Sequence, residues 1–359
     1  MSGNNTWDTV DRRTVLRAAG AAGIGGLAGC LGGGGDEGGA NDLTVGVATS
    51  LSGPFSVFGQ AALDGAMLAV EDLEEELGVS ITVEDGDTQL DPQTGVSQLQ
   101  RMVTEADADF TMGAVSSSAA QAMASWANEN EVIYMPTGAH GDGLTGEACG
   151  PYSFRPTASN SMLAASIGAE MAESADSWYL LYSDYAWGQT AQSAVSRILE
   201  EQGKEVVGRS ATPFPADDYS PYLNEADNSD ADGIGMLIAG LDLRKASNQL
   251  VSQGMQGDYT LAMHQLEDVV YWGLDKENAG ILDTAGQVWG PAVDNEASNE
   301  FAERITENSD IDPYVRHLLG YMSMDQSVRA AVRADSTAAE DMRGELVGHE
   351  VSSNIKAIK

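Results

Sequence analysis

Lysine is nearly missing from this chain: 5 of its 359 residues, beside 13 arginines. Together they make 18 basic residues against 55 acidic ones, a formal net charge of −37. Phosphate backbones are bound by Lys and Arg that displace counterions, so so acidic a chain is not expected to take nucleic acid as a partner. Attraction to an anionic membrane surface is disfavoured for the same reason. Cysteine is as scarce, with only Cys30 and Cys149, which excludes a disulfide framework. No run reaches the roughly 18 apolar residues that a spanning helix needs. Four histidines stand far apart, at 140, 264, 317 and 349. The chain holds no H-E-x-x-H, C-x-x-C or G-x-S-x-G motif, so neither a zinc hydrolase nor a serine nucleophile elbow is expected. The reading is a non-enzyme with no cofactor and no metal. With 42% hydrophobic residues a normal core is available.

The first forty residues read as an address and an anchor. Arg12-Arg13 precedes a soft Ala/Gly run from Ala18 to Ala28, and Leu27-Ala28-Gly29 stands directly before Cys30. This order resembles a twin-arginine export signal with a lipoprotein cleavage box, in which Cys30 carries lipid. Gly23 to Ala28 also fits a loose G-x-G-x-x-A pattern, but no strand precedes it, so a dinucleotide site is not expected there. Residues 1–29 are thus the signal and 30–42 a Gly-rich acidic tether. The leader holds three Arg and two Asp, so the remainder carries −38. Excess acid with little lysine suits a high-salt habitat, where screening shortens the reach of self-repulsion.

From Leu43 onward strand-like and helix-like runs alternate. Strands are expected at Leu43–Ala48, Ile81–Val83, Phe110–Val115 and Val132–Pro136, then at Trp178–Ser183, Glu205–Ala211, Gly233–Ala239 and Tyr259–His264. The helices between them carry local signals: Gly78 as a C-cap, and Asp91-Pro92 as an N-cap with proline in the first turn. Alternating βα units imply parallel sheets with helices on both faces. The fold class is α/β, with two Rossmann-like lobes joined by hinge strands: 43–156 with 284–345 as lobe 1, and 157–283 with 346–359 as lobe 2. Thr284–Trp289 is expected to return as a strand to the first lobe, and the end at Ile355–Lys359 leaves lobe 2 short.

In open parallel sheets the ligand lies beyond the carboxyl ends of the strands. The loops there hold Ser116 and Ser117 at a helix start, able to grip a carboxylate or simply to cap the helix. They also hold the small-residue loop Thr137–Gly143, with Gly138, Ala139 and His140. Tyr185 and Trp187 are placed to stack on a ligand or to pack on the helix below. Asp242 is placed to pair a ligand ammonium or to cap its own helix.

Several segments occur in order and at fitting spacing: Leu51-Ser52-Gly53-Pro54, Val115–Ser118, Gly138-Ala139-His140, Pro151–Pro156, Asp184–Gly188 and Ala216–Tyr222. Together they resemble the branched-chain amino acid (Leu/Ile/Val) type of ABC-transporter substrate-binding protein, with the type I periplasmic-binding-protein fold, here as a haloarchaeal lipoprotein. The resemblance implies two lobes closing like a flytrap on a small amino acid, which is delivered to a permease and ATPase complex by a monomeric receptor held at the outer membrane face by its lipid. By position it implies that Ser116 and His140 bind the carboxylate, with Gly138 offering backbone. Trp187 stands at an aromatic position of lobe 2, and Asp242, His264 and Gln265 fall near the ammonium. The family's acidic residue after the Tyr259–His264 strand is not evident at His264-Gln265. Either Asp242 replaces it or the ligand lacks a full ammonium. Tyr185–Gly188 and Tyr271-Trp272 are similar to a branch associated with short amides or urea. A ligand sensor of the same fold is the remaining alternative. Cys149, with no partner cysteine nearby, is expected as a buried free thiol.

Overall fold

The structure is a computed structural model that describes residues 40–274, 278 and 280–351. The export signal, Cys30, most of the tether and the terminal run Ile355–Lys359 lie outside the described residues.

The first sheet is parallel, in the order β2-β1-β3-β4, with β1 Asp42–Thr49, β2 Ser80–Asp87, β3 Phe110–Gly113 and β4 Tyr134–Pro136. Between them run α1 Ser56–Leu77, α2 Pro92–Glu105 and α3 Ser117–Glu129. The local signals act as expected. Gly78 closes α1 at φ 68°, a left-handed cap that glycine adopts without a Cβ penalty. Asp91 caps α2 by accepting from the Thr94 N–H at 2.7 Å.

The second sheet is also parallel, in the order β6-β5-β7-β8-β9. Its strands are β5 Ser177–Ser183, β6 Glu205–Thr212, β7 Gly233–Leu237, β8 Thr260–Met263 and β9 Thr284–Ala285. The helices are α4 Asn160–Ser174, α5 Ala186–Glu201, α6 Ser220–Asp227, α7 Asp242–Ser252 and the short α8 Asp268–Tyr271. One expectation fails here. The segment from Thr284 does not join the first lobe as a strand: β9 pairs with β8, Ala262 opposite Thr284 and Met263 opposite Ala285. The edge of β8 away from β7 is open, and its ladder satisfies the backbone groups of a strand of two residues.

The return to the first lobe is made by helices instead. They are α9 Glu296–Asn308, α10 Val315–Ala334 and α11 Ala339–Leu346, with α9 and α10 packed on α1 and α11 packed on α10. Leu346 also lies against the first lobe's apolar cluster rather than in lobe 2. The acidic face of α1 is partly engaged by these helices. Arg304 holds Asp72 through two hydrogen bonds of 2.6 and 2.8 Å, and Arg329 pairs with Glu76. Cys149 is a free thiol on the surface, not buried, because the turn after Asp142–Thr145 carries it outward. Among the described residues no helix is long and apolar enough to cross a membrane.

Separate apolar clusters fill the faces of the first sheet, with Val45, Val47 and Phe110 in one and Leu99, Met102 and Met123 in another. A further cluster joins the lobes: Phe55 and Phe58 of the first pack in it with Ile238, Leu243 and Met263 of the second.

Candidate functional site

The carboxyl ends of both sheets face each other across one cavity of about 410 Å³, counted with its opening to solvent. The first lobe contributes Phe55 from the β1–α1 connection, Phe58 from the first turn of α1, Val115 after β3, and Gly138 and His140 after β4. The second contributes Tyr185 and Trp187 after β5, Ile238–Gly240 after β7, and Gln265 and Glu267 after β8. Arg316 enters from the first turn of α10.

Aromatic rings form one wall. Phe55 meets Phe214 at 4.9 Å between centroids, Phe214 meets Tyr185 at 5.3 Å, and Tyr185 is stacked on Trp187 at 6.2 Å. Behind Trp187 lies the His264 ring, 5.2 Å away. Such offset and tilted contacts are the favoured geometries of quadrupolar rings.

Opposite charges form the polar end. The side chains of Arg316 and Glu267 are 5% and 7% exposed and form a two-pronged pair, Arg316 Nε donating to Glu267 Oε2 at 2.9 Å and Nη2 to Oε1. Two charges so buried are tolerable only when paired and hydrogen-bonded. Arg316 Nη1 donates to the Gly138 carbonyl, and its guanidinium lies 5.5 Å from the Phe58 ring centroid. Burial opposes the arginine's charge, and the Glu267 carboxylate outweighs it, so the Arg316 pKa is held above its ordinary value. Gln265 continues the chain, donating to Glu267 Oε1 at 2.8 Å and accepting from Trp187 Nε1 at 3.1 Å. A Cβ on Gly138 would stand 2.2 Å from Arg316 Nη1, so only glycine leaves the arginine its seat.

His140 is 1% exposed. Its Nδ1 donates to the Ala158 carbonyl at 2.8 Å, and its Nε2 has no partner among the described residues. Burial first, then the Arg316 charge, pushes its pKa well below the usual histidine value. At neutral pH the ring is therefore uncharged.

Of the residues expected from sequence, Gly138, His140, Tyr185, Trp187 and Gln265 meet at this cavity. The others do not line it. Ser116 caps α3, accepting from the Ala119 N–H at 3.5 Å. Ser117 accepts from the Gly141 N–H at 3.0 Å and so ties down the loop that carries His140. Ala139 is buried in the first lobe's core. His264 is held by Asn160 Oδ1 at 3.0 Å and backs Trp187. Asp242 neither reaches a ligand position nor stands in for the expected acid. Its Oδ2 accepts from the Ala216 N–H at 2.7 Å and the Tyr219 hydroxyl at 2.9 Å, and its Oδ1 pairs with Lys245 at 3.0 Å. Asp242 does not line the cavity, and its carboxylate is taken up within its own lobe. An acid does follow β8 in the lining: Glu267, two residues beyond Gln265. Arg316 and Phe55 were also missed. An arginine inside the apolar run Tyr314–Leu319 was the available signal, since such a residue needs a buried partner. Among the described residues no group of three or more His, Cys, Asp or Glu is placed to hold a metal ion.

A family model described as periplasmic binding protein matches residues 42–355. Among solved structures, a periplasmic binding protein from Burkholderia mallei is 26% identical, with a TM-score of 0.82 over 88% of this chain and 84% of that one. An amino acid ABC transporter substrate-binding protein from Pseudomonas fluorescens is 20% identical, with a TM-score of 0.75 over 84% and 82%. A solute-binding protein from R. palustris, solved with benzoate, is 19% identical, with a TM-score of 0.75 over 87% of each chain. No curated protein sequence matches significantly. With two parallel-sheet lobes facing one cavity and a family match over nearly the whole described length, the chain belongs to the periplasmic binding protein family, in its type I fold.

Proposed function

We propose that the chain is an extracellular, lipid-anchored solute receptor that closes on a small amino acid and delivers it to an ABC importer. The observation that carries this reading is the charge balance of the cavity. One cation, Arg316 on the first lobe, faces one anion, Glu267 on the second, and His140 is neutral. The charged lining sums to zero, so the ligand that disturbs it least is neutral overall. A zwitterion inserted between the pair exchanges one ion pair for two, its carboxylate towards Arg316 and its ammonium towards Glu267. An aromatic acid such as the benzoate of the R. palustris protein would leave Glu267 charged, buried and unpaired, which is strongly unfavourable. The apolar wall of Phe55, Phe58, Ile238 and Trp187 suits a hydrocarbon side chain, in keeping with the branched-chain resemblance. A short uncharged amide or urea also preserves the balance and is the second reading.

In this proposal residues 1–29 direct twin-arginine export, Cys30 carries the lipid, 30–42 form the tether, and the receptor works as a monomer in high salt. A thermal-shift titration in molar KCl tests the ligand, because a ligand that binds only the folded state raises Tm with its concentration. L-leucine or isobutyramide should raise Tm and benzoate should not. A shift with benzoate and none with the other two refutes the charge-balance argument. Cys30→Ser should release the chain into the medium, and retention at the membrane refutes the anchor.

A further inference from the structure

The charged and amide side chains at the polar end of the cavity are already engaged with one another. Both Glu267 oxygens are taken by Arg316 and Gln265, and Gln265 Oε1 is taken by Trp187. His140 stands apart from them. Its Nε2 is the one buried polar side-chain atom of the lining that has no partner among the described residues. A buried group of this kind is normally satisfied, and this one belongs to a residue that lines the cavity, which makes a bound ligand its candidate partner.

The direction of that missing bond is set by the other ring nitrogen. Nδ1 lies 2.8 Å from the Ala158 carbonyl, which can only accept, so Nδ1 bears the hydrogen. A neutral ring with Nδ1–H has a bare lone pair at Nε2. The loop is pinned on both sides of the ring: the His140 carbonyl accepts from the Asn160 N–H at 2.8 Å, and the Gly141 N–H donates to Ser117 Oγ at 3.0 Å.

We infer that His140 is a specificity-determining residue of this cavity, its Nε2 acting as a hydrogen-bond acceptor that selects ligands presenting an N–H or O–H donor. This inference rests on the receptor reading above, and it reverses the role implied by resemblance, in which His140 grips the carboxylate. Two lone pairs facing each other repel, so a carboxylate is the wrong group for this position unless the ring is protonated. The charges around the ring oppose protonation. Arg316 from α10, Arg155 from the segment after β4 and His264 from the end of β8 all act to lower its pKa, and Glu267 is neutralised by Arg316. The carboxylate is left to Arg316, and an ammonium or amide N–H turns towards His140.

The test follows binding of L-leucine and isobutyramide by calorimetry between pH 5.5 and 8, with nitrogen-15 NMR of the histidine rings. Affinity in the native protein should stay flat across this range, because no charge appears on His140. His140→Phe keeps an aromatic ring but removes the acceptor, and should weaken binding by about tenfold to a hundredfold. The Nε2 resonance should be that of an unprotonated nitrogen at pH 5.5 and should move when the ligand is added. Affinity that climbs as pH falls below 6.5, unchanged binding in His140→Phe, or a protonated Nε2 at pH 7 would each overturn the inference. If neither compound binds, the receptor's ligand class is what fails, and the ring resonance still decides the state of His140 without any variant needing to fold.

Discussion

Removing the charge of Glu267 without changing its shape gives the clearest view of how the lobes are coupled. In Glu267→Gln the guanidinium of Arg316 keeps its position on α10 and its bond to the Gly138 carbonyl, but loses its counter-charge. Both side chains are more than nine-tenths buried, so solvent screening is weak. Breaking one partner of a pair this deep destabilises by about 3–5 kcal/mol. For a protein of this size each kcal/mol lowers Tm by about 2–4 °C, so a fall of at least about 5 °C is expected if the lobes stay together. Opening the cleft would instead rehydrate Arg316, and small-angle scattering would then show a larger radius of gyration with a smaller fall in Tm. The second arm is the double variant Glu267→Gln/Arg316→Met. With no charge left in the cavity it should recover most of the lost stability, giving a coupling energy of at least about 2 kcal/mol in a double-mutant cycle. Additive effects of the two substitutions, or a single variant as stable and as closed as the native protein, would refute the claim that this pair joins the lobes.

Asp242→Ala should destabilise by about 2–3 kcal/mol, since the Ala216 N–H and the Tyr219 hydroxyl lose a charged acceptor. Its L-leucine affinity, measured on the folded fraction, should be unchanged, and a large loss would return Asp242 to the binding site. Gly138→Ala should leave the far-ultraviolet dichroism intact while weakening L-leucine binding by roughly tenfold, because a Cβ there collides with Arg316. Full affinity would show that the arginine has another seat. His317 accepts from the Tyr314 N–H through Nδ1 at 3.3 Å, and burial lowers its pKa to about 4. The unfolded chain takes up this proton near pH 6.5 and the folded one only near 4. The contribution is therefore complete above 6.5 and declines as pH falls from 6.5 to 4, by at most about 3 kcal/mol. Urea melts across that interval should show a shallower decline in His317→Gln, and identical slopes would sink the assignment.

Much of the scaffold was legible because its signals are local. The Asp91-Pro92 cap, the Gly78 terminator and the alternation of apolar strands with helical faces are decided within a few residues. The type I architecture follows from their order. So does the position of the cavity, because strand ends of parallel sheets leave backbone groups and loop side chains facing outward there. Gly138, His140, Tyr185 and Trp187 were found by that route, and Gln265 through the family resemblance. The lobe that receives Thr284–Ala285 was not legible. A strand of two residues has no periodicity to read, and its place depends on which sheet edge is free. Asp242 was misread for a related reason. Its spacing after β7 suits a ligand, but the Ala216–Tyr219 segment folds back and consumes the carboxylate.

What the sequence by itself determined is the α/β grammar, the twofold repetition of lobes and the loops from which a site would be built, all of which depend on residue order along short windows. What only the tertiary structure decided is the charge of that site. Glu267 and Arg316 stand 49 residues apart on different lobes; the apolar run around Arg316 calls for a buried partner, but no local pattern says which of the many acids supplies it. They become a functional pair because a charge carried into the interior must find its opposite wherever the fold brings one, and here the fold brings it across the cleft.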